Sequence, residues 1–346
     1  MLEKPCSLFM NCLSLPEKSS VKRLLVVLTC LLACLMASAQ NEVEHIHVVI
    51  INGGMNRLMN HERYWNDCSF LYQTLRKVYH IPRRNFTLLI SDGGESGKDM
   101  LRENGNGFAS SPNDLDGDGE RDVWLSATFE NVSNQLAELS AKLTTQDHLF
   151  LFLMDHGDTY DHLGASYAYL WGAEKLDDTV LASMLDRFRV GTMTIVMGQC
   201  YSGGFIDNLE RSGRIVVSAC AGDELSWSCL DKPYDEFVYH WICAIAGHDE
   251  MGNRVNADVN TDGFVSMAEA FDYARLHDRR NETPQYSSVP MALGEQWCFS
   301  GMVDDGIEDI RTETQNSRYY SFSGIHLPST SCGMLVKKGK KIIKKP

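Results

Sequence analysis

Two side chains that together could do nucleophilic chemistry follow two apolar runs of the sequence. His156 comes shortly after the run 149–154, and Cys200 comes shortly after the run 193–197. Apolar runs this short, bounded by glycine, are typical of strands buried on both faces of a parallel sheet. Ligands gather beyond the carboxyl ends of such strands, where an imidazole and a thiol on neighbouring strands would meet. The sequence therefore predicts a Cys–His nucleophilic pair.

The chemistry of such a pair is well defined. A neighbouring imidazole lowers the pKa of the thiol and carries its proton to the leaving group. Glycines around both residues let a substrate backbone come close, and the backbone N–H groups of Gly157 and Cys200 are candidates to hold a developing oxyanion. Composition alone leaves an alternative equally open, in which His156 is a turn residue and Cys200 is one buried cysteine among several.

The elements that must position this pair alternate between strand and helix. Besides the two apolar runs, strands are predicted at residues 45–51, 86–90 and 214–220, and a short strand or hairpin at 167–171. Helices are predicted at residues 65–78, 131–143, 179–188, 234–246 and 267–276. Strand, helix and parallel strand in succession imply crossover connections. The predicted fold class is α/β, built on a mainly parallel sheet.

The first forty residues predict an export leader. Two basic residues precede the apolar run 24–36, and Ala-Ser-Ala at 37–39 supplies small residues for cleavage, so the predicted signal peptide is residues 1–39. The mature protein is then secreted, periplasmic or at the cell surface, with no transmembrane segment. Cys34 lies in a faint resemblance to a lipoprotein cleavage site, and lipidation there is an alternative.

Composition and charge limit the partners. Removing four basic and two acidic leader residues changes the formal charge from −14 to −16, which argues against nucleic acid as a partner. The sequence has no CxxC pair, which argues against a structural zinc site. An odd number of cysteines in the exported part leaves at least one thiol free or paired between chains. These seven are Cys68, Cys200, Cys220, Cys229, Cys243, Cys298 and Cys332.

Two acidic loops have the spacing of calcium sites. Residues 114–122 place carboxylates at alternate positions before a glycine, although the twelfth-position glutamate is missing and a solvated acidic turn is the alternative. Residues 258–269 satisfy the full EF-hand loop pattern and resemble a dockerin-like half-site. We expect structural Ca²⁺ that braces the fold, and no cofactor for catalysis. The candidate ligands are Asp114, Asp116, Asp118, Asp122, Asp258, Asn260, Asp262, Phe264, Ser266 and Glu269.

The composition of the sequence changes over residues 308–346. Residues 308–317 predict a polar linker, and short strands with glycine turns are predicted at 319–324 and 333–343. Six lysines crowd into residues 337–345. This end resembles the C-terminal sorting segments of exported proteins, which would make an export machinery a partner. A plain solvated tail is the alternative.

The stretches around His156 and Cys200 resemble the legumain-type cysteine peptidases, which share the caspase-like fold. Residues 147–157 are similar to the strand and His-Gly turn of that family, and residues 199–203 (Gln-Cys-Tyr-Ser-Gly) to its Cys-x-Ser-Gly turn. Matches at Arg63 and within residues 218–287 extend the resemblance over residues 45–288, apart from insertions. The resemblance implies a three-layer α/β/α sandwich with a mainly parallel central sheet.

Catalytic roles follow from the resemblance residue by residue. It implies His156 as general base and acid, Cys200 as nucleophile and Gly157 as oxyanion donor. The asparagine that orients the catalytic histidine in this family corresponds to His61, next to Asn60, so the third catalytic member stays unassigned.

Specificity is also implied by the resemblance. Arg63 matches an arginine that lines the primary specificity pocket of the family, and Ser226 and Glu236 fall near other pocket positions. A guanidinium facing a carboxylate would suit Asn, or protonated Asp, as the residue before the cleaved bond. The family's acidic residue two places before the cysteine is Gly198 here, which puts this preference in doubt.

The sequence therefore predicts an exported cysteine endopeptidase that acts on peptides or proteins through a thioester acyl-enzyme. Its peptidase domain is predicted at residues 41–307, with the two calcium loops as insertions and residues 308–346 as the linker and tail. Two alternatives remain. One is a transpeptidase that uses the same dyad, and the other is a calcium-dependent binding or scaffold protein on a degenerate peptidase fold.

Overall fold

A computed structural model of the chain describes residues 43–103, 105, 107–160 and 165–302. Beyond residue 302 it describes five short strands: Glu308–Asp309, Tyr319–Tyr320, His326–Leu327, Gly333–Lys337 and Lys340–Lys344. The predicted signal peptide, residues 1–39 with Cys34, lies outside the described residues, as does Cys332.

A six-stranded sheet forms the centre of the fold. Its strands are β1 (Ile46–Asn52), β2 (Phe86–Ile90), β3 (His148–Met154), β4 (Thr192–Met197), β5 (Arg214–Ser218) and β6 (Gln285–Val289). Their order across the sheet is β6-β5-β4-β3-β1-β2, and all pairs are parallel except β5 with the edge strand β6. Leu153 of β3 pairs with Ile51 of β1 and Met197 of β4, so these three strands end together.

Helices cover both faces of the sheet. They are α1 (Glu62–Lys77), α2 (Phe129–Lys142), α3 (Asp178–Leu185), α4 (Glu236–Ala246) and α5 (Met267–His277). Shorter helical turns occupy Arg83–Asn85, Ser202–Phe205, Ile206–Leu209 and Met291–Gln296. Buried side chains of α1, α4 and α5 join one core cluster, and those of α2 and α3 join the other. Within the described ranges, none of the helices has the length and apolar character needed to cross a bilayer.

Strand β3 shows why the sheet needs two cores. Phe150, Phe152 and Met154 belong to the cluster with α1, α4 and α5, whereas the alternate residues belong to the cluster with α2 and α3. Side chains alternate between the two faces of a strand, so an apolar run requires apolar cover on both sides. The three-layer α/β/α sandwich with a mainly parallel sheet is therefore confirmed.

A small antiparallel sheet follows β3 directly. It consists of Gly157–Thr159, Ser166–Tyr169 and Lys175–Asp177. The sequence predicted a short strand or hairpin only near residues 167–171, because Gly157–Thr159 is short and polar and lacks an apolar alternation. Two more strand pairs are Met100–Leu101 with Phe108–Ala109 and Trp297–Cys298 with Gly301–Met302.

Trp241 of α4 offers a test of the core. Its indole is fully buried and stacks on Phe150 with ring centroids 5.9 Å apart. Trp241→Ala should lower the free energy of unfolding by about 3–5 kcal/mol, because it leaves a large cavity against β3. Trp124→Ala is the matched control, since Trp124 is 66% exposed, and should cost less than about 1 kcal/mol. Denaturant unfolding of both variants measures the difference, and equal losses would contradict the described packing.

Candidate active site

The ends of β3 and β4 bring His156 and Cys200 to the same edge of the sheet. The two strands are neighbours, and both residues lie just beyond the carboxyl ends. A Cβ added at Gly157 would overlap the carbonyl oxygen of Cys200, so the His-Gly turn packs directly against the backbone of the cysteine. Only glycine permits this approach. Cys200 is followed by Tyr201 at φ 57°, a left-handed conformation that turns the chain sharply away from the strand.

The imidazole of His156 has two neighbours that set its tautomer. Its Nε2 lies 3.0 Å from the carbonyl oxygen of Met59, and the hydroxyl of Tyr64 lies 3.3 Å from Nδ1 and 3.2 Å from Nε2. A carbonyl can only accept, so Nε2 carries the proton and Nδ1 keeps the lone pair in the neutral ring. Burial lowers the pKa of His156 to about 4. At neutral pH the residue is therefore a neutral base with its free lone pair on Nδ1.

The thiol of Cys200 is half-buried and free of any disulfide. Its Sγ lies 3.6 Å from the carbonyl oxygen of Ser226. No hydrogen bond joins Sγ to either nitrogen of His156, although both side chains belong to the described part of the chain. Burial raises the pKa of the thiol, and the charges of Asp235 and Glu282 add to that rise. The thiol and the imidazole are thus both neutral. The backbones that carry them are in contact, but the two side chains share no hydrogen bond.

The backbone N–H of Gly157 is available for a ligand. Tyr169 N donates to His156 O at 2.9 Å, which makes Gly157 and Ala168 a non-hydrogen-bonded pair of the antiparallel ladder. The ladder therefore makes no use of the Gly157 N–H. This amide lies next to the backbone of Cys200, where a developing oxyanion would form during attack by the thiol.

Arg63, in the first turn of α1, is surrounded by acceptors. Its Nε donates to Asp235 Oδ1 at 3.2 Å, its Nη1 to Glu103 Oε1 at 2.9 Å and its Nη2 to the Tyr64 hydroxyl at 3.1 Å. A guanidinium has five N–H groups, so donors remain for a further acceptor. Because Tyr64 also contacts His156, a single side chain links the predicted pocket arginine to the predicted base.

Asp235, and not the predicted Glu236, is the carboxylate that contacts Arg63. Glu236, predicted near the pocket, accepts hydrogen bonds at Oε1 from Arg279 N and Nε, at 3.1 and 2.9 Å. Asp235 precedes α4 with an extended backbone while Glu236 begins the helix, so the two carboxylates leave the chain in different directions. The structure therefore places residue 235 and not residue 236 against Arg63. The backbone carbonyl of Ser226, also predicted near the pocket, lies 3.6 Å from Sγ of Cys200.

Three contacts of this site escaped the sequence reasoning. Glu103 belongs to a polar insertion with no motif, and Met59 acts through its backbone carbonyl, which carries no signal in the side-chain type. Tyr64 sits on the apolar face of α1 and is 3% exposed, so its spacing indicates only a core residue. The one signal in the sequence for a role of Tyr64 was its position directly after Arg63.

The first acidic loop brings three carboxylates together. One oxygen from each lies within 4.8 Å of the others: Asp114, Asp116 and Asp122. Asp118 is directed elsewhere, with Oδ2 at 3.7 Å from Nη1 of Arg83. Asp122 is buried and accepts a hydrogen bond of 2.6 Å from the hydroxyl of Tyr72, which links the loop to α1. Grouped carboxylate oxygens of this kind fit a hard cation such as Ca²⁺.

The second acidic loop is closed on itself by hydrogen bonds. Asp258 accepts from the N–H groups of Asp262 and Gly263, and Glu269 Oε1 accepts from Val259 N at 3.0 Å. Phe264 N donates to Asp262 Oδ1, and the Asn260 amide donates to Asp262 Oδ2. Ser266 and Glu269 form a capping box that starts α5. The loop therefore has the turn expected around a cation, with a helix on its outgoing side.

Comparison with known proteins finds a peptidase family that matches part of the chain. A model described as the Peptidase C13 family matches residues 133–292, a segment that contains both His156 and Cys200. A solved structure, protein GSU0716 from Geobacter sulfurreducens, aligns with a TM-score of 0.43 at 12% identity and covers 74% of this chain and 99% of that one. Among curated proteins, none matches this chain significantly. The match over residues 133–292 supports a cysteine peptidase function and is consistent with a legumain-type enzyme, a hydrolase whose substrates are peptides or proteins.

Proposed function

We propose that the protein is an exported cysteine endopeptidase, with Cys200 as the nucleophile and His156 as the general base and acid. The observation that supports this most is the contact between the His-Gly turn after β3 and the backbone of Cys200 after β4. This contact brings together the two backbone segments that carry the imidazole, the thiol and the Gly157 N–H. Export is proposed from the leader-like residues 1–39, and the lysine-rich end is the segment proposed to meet an export machinery.

The acylation step uses the groups described at this edge of the sheet. Nδ1 of His156 takes the thiol proton while Sγ of Cys200 attacks the carbonyl carbon of the substrate. The N–H groups of Gly157 and Cys200 stabilise the oxyanion. His156 then gives the proton to the leaving nitrogen, the C–N bond breaks, and a thioester with the new carboxyl-terminal residue remains on Sγ.

The group that attacks the thioester during deacylation distinguishes a hydrolase from a transpeptidase. Water that loses a proton to His156 attacks the thioester, releases the acid and restores the thiol, which completes hydrolysis. An amine that attacks the same thioester would form a new peptide bond, and the protein would then be a transpeptidase. Hydrolysis is our primary proposal, because the described site is half-open to solvent and holds no feature that selects an amine over water.

We propose Asn, or protonated Asp, as the residue before the cleaved bond. Arg63 is held between Asp235 and Glu103, and still has N–H groups to offer a carbonyl oxygen. Glu103, 30% exposed, can accept from the amide nitrogen of an asparagine. This carboxylate comes from the insertion before the first acidic loop, and it supplies a negative group at a site where Gly198 offers none.

Calcium is proposed as a structural ion of both acidic loops and not as a catalytic group. The loops lie away from the thiol and pack on α1 and α5, so an ion would tie loop to helix. The oxygens of Asp114, Asp116 and Asp122 would hold it in the first loop. In the second, Asp258, Asn260, Asp262, Phe264, Ser266 and Glu269 occupy the ligand positions of the pattern.

Labelling of Cys200 tests the dyad. An electrophilic peptide carrying Asn at its reactive end should modify the wild-type chain at Cys200 and leave Cys200→Ala unmodified. Because the pKa of His156 lies at about 4, labelling should stay nearly constant above pH 5 and fall as pH drops through that value, when the base becomes protonated. Mass spectrometry of the Cys200 peptide gives the readout. A wild-type chain that is folded but resists labelling would instead favour the binding or scaffold alternative.

A cleavage-site profile tests the pocket. On a denatured protein mixture, cuts should follow Asn, and Asp more at acid pH. Arg63→Ala should lower kcat/KM on an Asn peptide by about 10- to 100-fold, since a hydrogen bond to a charged group is lost. Arg63→Lys is the matched control that keeps the charge and removes the fork, and should recover only part of the activity. Cuts spread over unrelated residues would overturn the pocket proposal.

Thermal unfolding with and without chelator tests the calcium proposal. At about 10 mM Ca²⁺, an extracellular-type site with a Kd of about 10⁻⁴–10⁻³ M adds about 1.4–2.7 kcal/mol, which should raise the Tm by about 3–8 °C. Asp258→Ala and Asp114→Ala should each reduce the response to Ca²⁺. Asp207→Ala, which removes an exposed carboxylate outside both loops, is the control and should leave the response to Ca²⁺ intact. A Tm that chelator does not change would end the proposal.

A further inference from the structure

The side chains of Asn60 and His61, which precede α1, do not hydrogen-bond His156. Asn60 is buried, and its Nδ2 donates to Ser91 Oγ at 2.8 Å and to Asp99 O at 3.1 Å. His61 meets His156 edge to face at 5.5 Å between ring centroids, and its Nδ1 lies 3.5 Å from Glu103. Neither is placed to orient the base by a hydrogen bond. The side chain that does reach the imidazole nitrogens is that of Tyr64.

We propose that Tyr64 is the positioning residue of the catalytic base, and that its hydroxyl, held by Arg63, orients the His156 ring so that Nδ1 is the nitrogen that receives the thiol proton. The proposal rests on the proposed function, since it assigns a role within that same site. Tyr64 does not touch the scissile bond in this scheme, and it acts only through His156.

The hydrogen bonds around Tyr64 run in one direction. Arg63 has no acceptor atoms, so its Nη2 must donate to the Tyr64 hydroxyl. That oxygen then directs its own proton towards the acceptor nitrogen of His156. Nε2 donates to Met59 O, so the acceptor is Nδ1. From Arg63 through Tyr64 and His156 to Met59, each group donates to the next. When the thiol proton moves to Nδ1, the Tyr64 O–H bond turns away, and the hydroxyl oxygen accepts from the new Nδ1–H.

The ring of Tyr64 reinforces this orientation. It lies edge to face against the imidazole, with centroids 5.3 Å apart and planes at 84°, and Cζ of Arg63 lies 4.6 Å from the centroid of the Tyr64 ring. The side chain is 3% exposed, so it has little freedom to swing away. Two contacts at different atoms, the Met59 carbonyl and the Tyr64 hydroxyl, are enough to prevent the imidazole from rotating about its Cβ–Cγ bond.

This arrangement also acts on the proton affinity of the base. A hydroxyl that donates to the Nδ1 lone pair favours the neutral ring, and so does the positive charge of Arg63. Removal of the hydroxyl should therefore raise the pKa of His156. The titratable and charged groups that face the pair from the surrounding elements are His61, Arg63, Glu103, Asp155, Cys200 and Asp235.

Tyr64→Phe tests the proposal in the full chain, because it removes the hydroxyl and keeps the ring. With the best peptide from the cleavage profile, kcat should fall by about 10-fold while KM stays within about twofold. The acid limb of the kcat/KM profile should move up by about one pH unit. Iodoacetamide alkylation of Cys200, followed by mass spectrometry at each pH, should show the same shift of the acid limb without a peptide substrate.

Tyr79→Phe is the matched control. Tyr79→Phe also loses a hydrogen bond, from the Tyr79 hydroxyl to Ile245 O at 2.7 Å, but Tyr79 lies just beyond the carboxyl end of α1. It should lower stability without shifting the pH profile. If Tyr64→Phe behaves like Tyr79→Phe, the assignment of Tyr64 is wrong while the Cys–His dyad stands. Loss of labelling in Cys200→Ala together with an unchanged Tyr64→Phe therefore separates the two proposals.

A measurement on the unmodified protein covers the case in which Tyr64→Phe fails to fold. In ¹⁵N NMR spectra of histidine-labelled chain near pH 7, His156 should show a protonated Nε2 and an unprotonated Nδ1 that accepts a hydrogen bond. The opposite tautomer would overturn the proposal, because Nδ1 could then neither accept from Tyr64 nor receive the thiol proton.

Discussion

The close approach of the His156–Gly157 turn to the carbonyl of Cys200 is the constraint on which the site depends. It arises because β3 and β4 are neighbouring parallel strands that end at the same level, so that both chains leave the sheet side by side. Any side chain at position 157 would separate them. The glycine allows this contact, and its own N–H makes no hydrogen bond in the neighbouring antiparallel ladder.

Hydrogen bonds among buried polar groups are the second feature that organises this edge of the sheet. Asp235, Arg63 and Tyr64 are largely enclosed by protein and, together with Glu103, hydrogen-bond one another. The resulting network connects Arg63 to His156 through one tyrosine. Burial also keeps the thiol and imidazole neutral, since the charged forms of both are disfavoured away from water.

The acidic loops show how similar spacing can give different local structures. In the first loop, three carboxylates converge, one of them buried against Tyr72, whereas Asp118 lies near Arg83. In the second, the carboxylates accept the loop's own N–H groups, and Ser266 and Glu269 start α5. The first loop attaches to α1 and the second to α5, and both helices cover the same face of the sheet.

Sequence alone was sufficient for features that depend on local pattern. The apolar runs of β3 and β4 determine buried strands, and the residues after each run determine where a thiol and an imidazole emerge, because strand ends follow from where the apolar run stops. Helix periodicity located α1 to α5 within a few residues. The short polar strand at Gly157–Thr159 was not predicted, since nothing in its composition distinguishes it from a loop.

Tertiary structure alone decided which groups from distant segments meet. Glu103 and Asp235 reach Arg63 across 40 and 172 residues of chain, and no local pattern encodes such separations. The choice of Asp235 over Glu236 depends on where α4 begins, a one-residue difference that reverses the direction of a carboxylate. The partners of His156 depend on a backbone carbonyl and on a tyrosine whose spacing indicates a core residue. Local periodicity specifies elements, whereas the contacts of a buried polar network exist only once those elements have packed.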